Sequence, residues 1–448
     1  MSGHDAREVG LLRTLARGVE SRSPVSPALL TQEFLRSEGI AVVQPVEGAL
    51  LVIRQVAGPA YFELLECLAS RSPDMARGSI FDDVRGELVK FLRRYLGRDP
   101  SEIGRSDVAG LHDHFDQWFQ RRVVSCRVLV PCVLSRWKSS RFSVGPAEFV
   151  FIDDVVDTDF YPPADDPMGR FEVDELLKLM KETGGTWLAR LSVAGCERQR
   201  AKQLASLATD LAVVAIQLAI PHPMVVRDLG RLYDHRGTRM RMTLTEVGGH
   251  LYADRLFLAP GDPIGPGVLA HYLQVNDSAV SAVGNCVKSF STGQYRLRTL
   301  ETAWCDSAYW LHQALSESND AIAVAKLETA LEVLVRAESA KLSQARIEEI
   351  LSTFYNLKPS DVLHDATAMT AKEFAKDLVG CRSRVLHGTD STLNARLTRN
   401  RDGAEEFAIA VLRRVAVELN AYANSENPVD KIAALLEWVR KKSLCEVT

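Results

Sequence analysis

The residues 382–388 read Arg382-Ser383-Arg384-Val385-Leu386-His387-Gly388, which places an arginine five residues ahead of a histidine with a glycine directly after it. Arginine presents a permanently charged, forked donor set that matches a phosphate. Histidine exchanges a proton near neutral pH. One helix turn carrying both could hold a phosphodiester and move a proton without a metal. The spacing alone carries little weight. With 40 arginines and 10 histidines in 448 residues, chance supplies roughly three Arg-to-His pairs having four to six residues between them. Two occur, Arg382 with His387 and Arg105 with His112, so the surroundings must decide.

The elements that would position the first pair are helical. From about Asn276 onward the apolar residues recur only at helical spacing, giving helices at 277–290, 294–317, 320–338, 343–355, 371–387, 403–424 and 428–442. The phrase Arg382 to His387 closes the fifth of these, and Gly388 stands where a left-handed C-terminal cap is expected. In the third, Leu327, Ala330, Leu331 and Leu334 line one face. These helices read as an antiparallel bundle.

The rest of the chain is of mixed texture. Residues 1–25 are polar and expected to be mobile, and the stretch from about Pro27 to Arg122 reads as mostly helical. Residues 123–134, 147–155 and 186–195 are β-branched and aromatic, which marks strands. An Asp- and Pro-rich loop follows the second of them. A long helix spans 197–220 and ends before Pro221, and two short strands follow near 239–245 and 250–258. The expected class is α+β and predominantly helical: a mostly helical region 1–122, an α+β segment 123–275 with a small sheet, and an all-α bundle 276–448.

Bulk composition sets limits. An apolar share of 46% suits a globular chain with a sizeable core, and a net charge of -4 gives no global signature of nucleic-acid binding, so any such surface is local. No run of 18 apolar residues exists and the start lacks a signal-peptide pattern. The eight cysteines, at 67, 126, 132, 196, 286, 305, 381 and 445, form no Cys-x-x-Cys pair. These points lead to the expectation of a cytoplasmic protein with no membrane partner, no structural zinc and no disulfide framework. No GxxxxGK[ST] loop and no Gly-x-Ser-x-Gly elbow is present, so neither ATP use nor serine hydrolysis is supported. No cofactor is expected.

Residues 295–425 resemble the HEPN domain, specifically the Apea-like HEPN group. That group has a helix with an aLExL phrase, here Ala330-Leu331-Glu332-Val333-Leu334, then a helix ending in an RSxxxHG phrase, here residues 382–388, then a closing amphipathic helix, here 405–423. The family often has tyrosine three residues before the motif arginine, where this chain has Val379. No resemblance is seen in residues 1–260. The resemblance implies a metal-independent endoribonuclease, with Arg382 and His387 catalytic. It further implies two motifs facing each other across a homodimer formed through the C-terminal bundle. Toxins and anti-phage defence effectors are a common use of such domains, and residues 1–260 would then sense a phage or cellular trigger.

The residues agree with that chemistry. RNA supplies its own nucleophile, the 2′-hydroxyl. His387 suits the proton transfer and Arg382 the charge building on phosphorus. At 3.6 residues per turn the two lie roughly 140° apart around the helix, so their side chains must reach to converge. Arg384 lies three residues from His387, a closer neighbour and a candidate second phosphate ligand. Glu332 is a candidate for orienting Arg382 or Arg384 by a charge-assisted bond. Ser383 is a small polar spacer, and Lys326 and Glu328 read as surface charges. Arg382, Arg384, Arg396, Arg399 and Arg401 face only Asp390 in the same stretch, and this local positive patch makes Arg396, Arg399 and Arg401 candidates for RNA binding. Bland alternatives stand beside each reading. Arg382 and His387 could be structural, the patch could be a solvated loop, and the domain could be a non-catalytic RNA-binding or dimerisation module. His112, Asp113, His114 and Asp116 read as part of an amphipathic helix rather than a metal site, because histidines two apart on a helix do not converge. The aspartates between 153 and 166 read as a solvated connector.

Overall fold

The computed structural model describes residues 3–23, 31–46, 49–232, 239–248, 250–258, 264–364, 369–387 and 401–447. The fold is α+β and predominantly helical. It divides into two compact units, residues 1–126 with 193–203, and residues 127–192 with 204–448.

The first unit opens with helix α1 (Gly3–Gly18) and strand β1 (Val19–Arg22), followed by α2 (Gln32–Ser37), β2 (Ile40–Val46) and β3 (Ala49–Arg54). The helices α3 (Gly58–Ala69), α4 (Pro73–Gly78), α5 (Phe81–Leu92) and α6 (Arg105–Arg122) complete it. One expectation is corrected here. The N-terminal stretch is not a mobile tail: Leu12 and Leu15 of α1 are fully buried in one core with Tyr61, Leu64, Leu68 and Phe115. The following stretch is mostly helical, and its two strands add to β1 to form an antiparallel sheet in the order β1-β3-β2. Pro45 sits in β2, an edge strand, where a missing N–H disrupts no ladder. In α6 the imidazoles of His112 and His114 reach different acids, Glu8 at 3.3 Å and Glu87 at 2.8 Å. Among the described residues no group of three or more metal-ligating side chains converges.

The sheet of the second unit is built from β4 (Val123–Val133), β5 (Phe142–Val144), β6 (Ala147–Phe151), β7 (Trp187–Glu197) and β8 (Gly230–Arg231), in the order β5-β6-β7-β4-β8. Helix α7 (Pro167–Thr183) follows the acidic connector and was hidden in the sequence by its Pro-rich start; Asp166 caps it by accepting from Gly169 N–H. Helix α8 (Arg198–Ala219) is buried on nearly all sides, with Ala205, Ala208, Leu211, Val214 and Ile216 in the core. After the short α9 (Pro223–Val226), strands β9 (Arg239–Val247) and β10 (His250–Leu258) pair only with each other as a hairpin.

The rest is the helical bundle: α10 (Val268–Val275), α11 (Asp277–Thr292), α12 (Arg298–Leu315), α13 (Asp320–Val335), α14 (Ala340–Tyr355), α15 (Ala371–Leu386), α16 (Arg401–Ala423) and α17 (Ile432–Val447). A short pair, β11 (Val362–His364) with β12 (Met369–Thr370), interrupts what was expected to be all helix. Sheet and bundle belong to the same compact unit. Helix α13 is the centre of the bundle. Its buried residues run round the cylinder, from Ala323 and Val324 to Leu327, Leu331 and Leu334, and it packs on α12, α14, α15 and α16. Asn319 caps its start by accepting from Ala321 N–H at 3.1 Å and Ile322 N–H at 3.2 Å.

The sheet and α11 meet at two glycines. A Cβ on Gly284 would lie 2.6 Å from the Gly145 nitrogen, and Gly145 itself has φ +56° in the β5–β6 turn. Neither position has room for a methyl group. Gly284→Ala is expected to destabilise this unit by roughly 1–3 kcal/mol, the usual cost of overpacking a close contact. Urea unfolding followed by circular dichroism checks it, and an unchanged midpoint would contradict the close approach.

Candidate functional site

Helix α15 carries the motif, and its ends are locally determined. A capping box sets the start: Thr370 accepts from Glu373 N–H at 3.3 Å, and the Glu373 carboxylate accepts from Thr370 N–H at 2.9 Å. The helix closes at His387, whose N–H donates to Ser383 O at 3.0 Å. Val379, where the family often has tyrosine, is buried within the bundle.

The structure brings Arg382 to Glu332. The guanidinium of Arg382 donates to the Glu332 carboxylate and, at 3.3 Å, to that of Glu328. Glu332 was a sequence candidate; Glu328 was read as a surface charge, and that reading is wrong. Its side chain is 2% exposed. The spacing could have revealed it, because residues four apart share a helix face, so a helix that presents Glu332 to α15 presents Glu328 one turn earlier. Two carboxylates on successive turns repel each other, and Arg382 is the cation that offsets both. Burial pushes the Glu328 carboxyl up to about 7, opposed by Arg382. The buried Ser343 hydroxyl lies near enough to favour the ionised form without making a hydrogen bond of ordinary geometry. Lys326, read as a surface charge, is half-buried and donates to Glu317 at 2.7 Å.

The remaining candidates separate. Arg384 folds back along its own helix to Asp377 at 3.2 Å, over Gly380, where a Cβ would lie 2.8 Å from its Nη1. Ser383 and His387 are exposed. Among the described residues the His387 ring makes no hydrogen bond. Gly388, Arg396 and Arg399 lie outside the described residues. Arg401 does not belong to an RNA-facing patch: it is 5% exposed and donates to Glu405 at 2.7 Å and Asp320 at 2.9 Å. It also reaches the last carbonyls of α12, at Ala314 and Leu315. Glu405 is fully buried and takes a second arginine, Arg227, at 2.7 Å. Arg401 therefore closes a buried ion cluster that joins α16 to α12 and α13. Among the described residues no helix is long and apolar enough to cross a membrane, and none of the seven described cysteines forms a disulfide.

No protein-family model, no curated protein and no solved structure matches this chain.

What the arrangement can do follows from charge. Arg382 keeps a third of its side chain in solvent, so its guanidinium can take a further acceptor while two carboxylates fix its direction. An incoming phosphate meets those acids as well, and protonation of Glu328 weakens the opposition. Glu328 titrates higher in the folded state than in the unfolded chain, so it opposes folding more as pH rises from its ordinary value of 4.5 through about 7. Glu328→Gln removes that titration. The variant's stability relative to the native protein is expected to increase by on the order of 2 kcal/mol between pH 4.5 and pH 8. Thermal midpoints of both proteins at the two pH values measure this, and a pH-independent difference would contradict it.

Proposed function

We propose that the chain is a metal-independent endoribonuclease that cleaves RNA by attack of a 2′-hydroxyl on the adjacent phosphorus. The observation that carries the reading is Arg382, aimed by Glu332 and Glu328 of α13, five residues before the exposed His387 at the end of α15. The resemblance of residues 295–425 to the Apea-like HEPN group supports it. His387 takes the proton of the 2′-hydroxyl as O2′ bonds to phosphorus, and Arg382 offsets the charge gathering on the equatorial oxygens. The P–O5′ bond breaks and O5′ takes up a proton, leaving a 2′,3′-cyclic phosphate and a 5′-hydroxyl. One imidazole serves one of the two proton transfers. The second comes from another copy of the chain, in a homodimer through the bundle. In this reading residues 1–260 raise a basal nuclease activity when a phage or cellular trigger acts, as in a toxin or an antiviral defence effector.

A second reading, a non-catalytic RNA-binding or dimerisation module, is favoured by one observation. Arg382 already has two carboxylate partners, which is how a structural arginine is satisfied.

RNA cleavage in EDTA separates the two. His387→Ala is expected to lose roughly 10²–10⁴ in rate while keeping the native unfolding midpoint. Arg382→Ala alone leaves a buried acid without its cation, which costs stability by itself, so the arginine is tested as Arg382→Ala combined with Glu328→Gln. That pair is expected to fold and to be inactive. Equal cleavage by all three proteins, or products with a 3′-hydroxyl, would overturn the nuclease assignment.

A further inference from the structure

Glu332, which holds Arg382, also forms part of the wall of an open cleft of about 480 Å³ between α12 and the C-terminal end of α13. Thr302 and Asp306 come from α12; Val333, Arg336 and Ala337 come from the end of α13 and the turn beyond it. The volume falls in the range of sites that take a small organic group. Three of its charged side chains, Asp306, Arg336 and Glu338, are uncommitted among the described residues. Among the described residues neither the carboxylate of Asp306 nor the guanidinium of Arg336 makes a hydrogen bond or an ion pair. Arg336 ends α13 with φ +51°, a conformation that glycine ordinarily supplies, so the chain places a long cation at this rim where a residue without a side chain would fit the backbone better. The carboxylates lining the cleft do not converge as metal ligands do, since no such group of three is found among the described residues.

Glu332 is common to the cleft wall and to the Arg382 ion pair, so the cleft is one side chain removed from a phosphate held at Arg382. This step rests on the endoribonuclease reading above. In RNA the groups beside a phosphate are bases, and proteins read single-stranded bases on their Watson–Crick edges and stack them on arginine planes. An ionised carboxylate only accepts hydrogen bonds. Guanine alone offers it two adjacent donors on that edge, N1–H and N2–H. Adenine and cytosine set a donor beside an acceptor, and uracil flanks its one donor with two carbonyls.

We propose that the cleft is a guanine subsite, in which Asp306 accepts from N1–H and N2–H of a guanine flanking the scissile phosphate and Arg336 stacks on its ring. Asp306 and Arg336 are then specificity-determining residues of the same site. Its surroundings raise the Asp306 carboxyl above its ordinary value, with Arg336 opposing, while the side chain stays exposed to an incoming ligand.

The experiment uses the full chain and short DNA oligonucleotides carrying one ribonucleotide. In one series the base of the ribonucleotide varies among G, A, C and U; in a second the base on its 3′ side varies. One series is expected to show a guanine preference of roughly tenfold or more in kcat/KM, the scale of a bidentate contact. Inosine at that position keeps N1–H but lacks the N2 amine, and it is expected to lose most of the preference. Asp306→Asn is expected to bring the guanine-to-adenine ratio to within about twofold, because an amide no longer presents two acceptors. Cleavage without base preference in both series, inosine cut as well as guanine, or an unchanged ratio in Asp306→Asn overturns the subsite and leaves the nuclease standing. No cleavage of any oligonucleotide or of long RNA by the native protein overturns both.

Discussion

The bundle is organised around two carboxylates on successive turns of α13 that share one arginine from α15. Taking an ionised acid out of water costs several kcal/mol unless a cation and good hydrogen bonds replace the solvent. Glu328 is all but buried, and Glu332 one turn on is partly buried. Among the described residues the cation that meets them is Arg382, 54 and 50 residues further along the chain. Hydrophobic packing of α15 on α13 tolerates small slips because it is non-directional. The forked guanidinium does not, and a shift of α15 by one residue would leave both acids without their cation. The pairing fixes the register of the helix that carries His387, and with it the placement of that imidazole relative to the Arg382 guanidinium.

The same device appears at the start of α16, where it redefines what looked like a basic surface. Glu405 is fully buried and held by Arg401 and Arg227 together, and Asp402 adds a further acid to Arg227 at 2.6 Å. Arg401 also meets the carbonyl end of α12, where a cation is favoured by the helix dipole. Charge counted along the chain set five arginines against one aspartate between residues 382 and 401. Charge counted in space differs. Arg382, Arg384 and Arg401 each face at least one carboxylate, and all of those acids lie outside the counted stretch. A linear charge count sees only one side of each pair.

That difference separates what was legible in the sequence from what was not. From α11 onward the bundle helices were legible because each buries a stripe or a whole circumference at the helical period, and their ends fall within a few residues of the expected ones; the short α10, behind Gly265, Pro266 and Gly267, was not. So were β4 and β7, whose β-branched runs have no helical alternative. The missed elements share a physical cause. Proline and glycine served as signs of a break, yet Pro45 lies inside edge strand β2 and Pro167 opens α7 at its first turn, the two places where a missing N–H costs nothing. α1 was hidden by polar neighbours that face solvent, while Leu12 and Leu15 supply its buried anchor. Within the site, Glu332 was legible from its phrase and Glu328 from its spacing. The cleft formed with Asp306 and Arg336 was not legible, because its walls come from two helices and the turn that ends one of them, with no common motif.

The two Arg-to-His pairs that the sequence offered on equal terms are unequal in space. In the Arg105–His112 pair the histidine is the tethered member, with Nε2 3.3 Å from Glu8, and its neighbour His114 lies 2.8 Å from Glu87. In the Arg382–His387 pair the arginine is the tethered member, and among the described residues the His387 ring is unengaged. A site that binds a phosphodiester and moves a proton needs that division: a cation held in one direction by its neighbours, since reorientation during the reaction would cost part of the electrostatic stabilisation, and an imidazole exposed enough to meet the substrate. The acids that hold Arg382 also set its limit. A phosphate gains at Arg382 only the difference between its own attraction to the guanidinium and the repulsion of Glu328 and Glu332. In the proposed nuclease, affinity for RNA is supplied largely by contacts beyond the motif, and the cleft that Glu332 also lines holds uncommitted groups that could supply them.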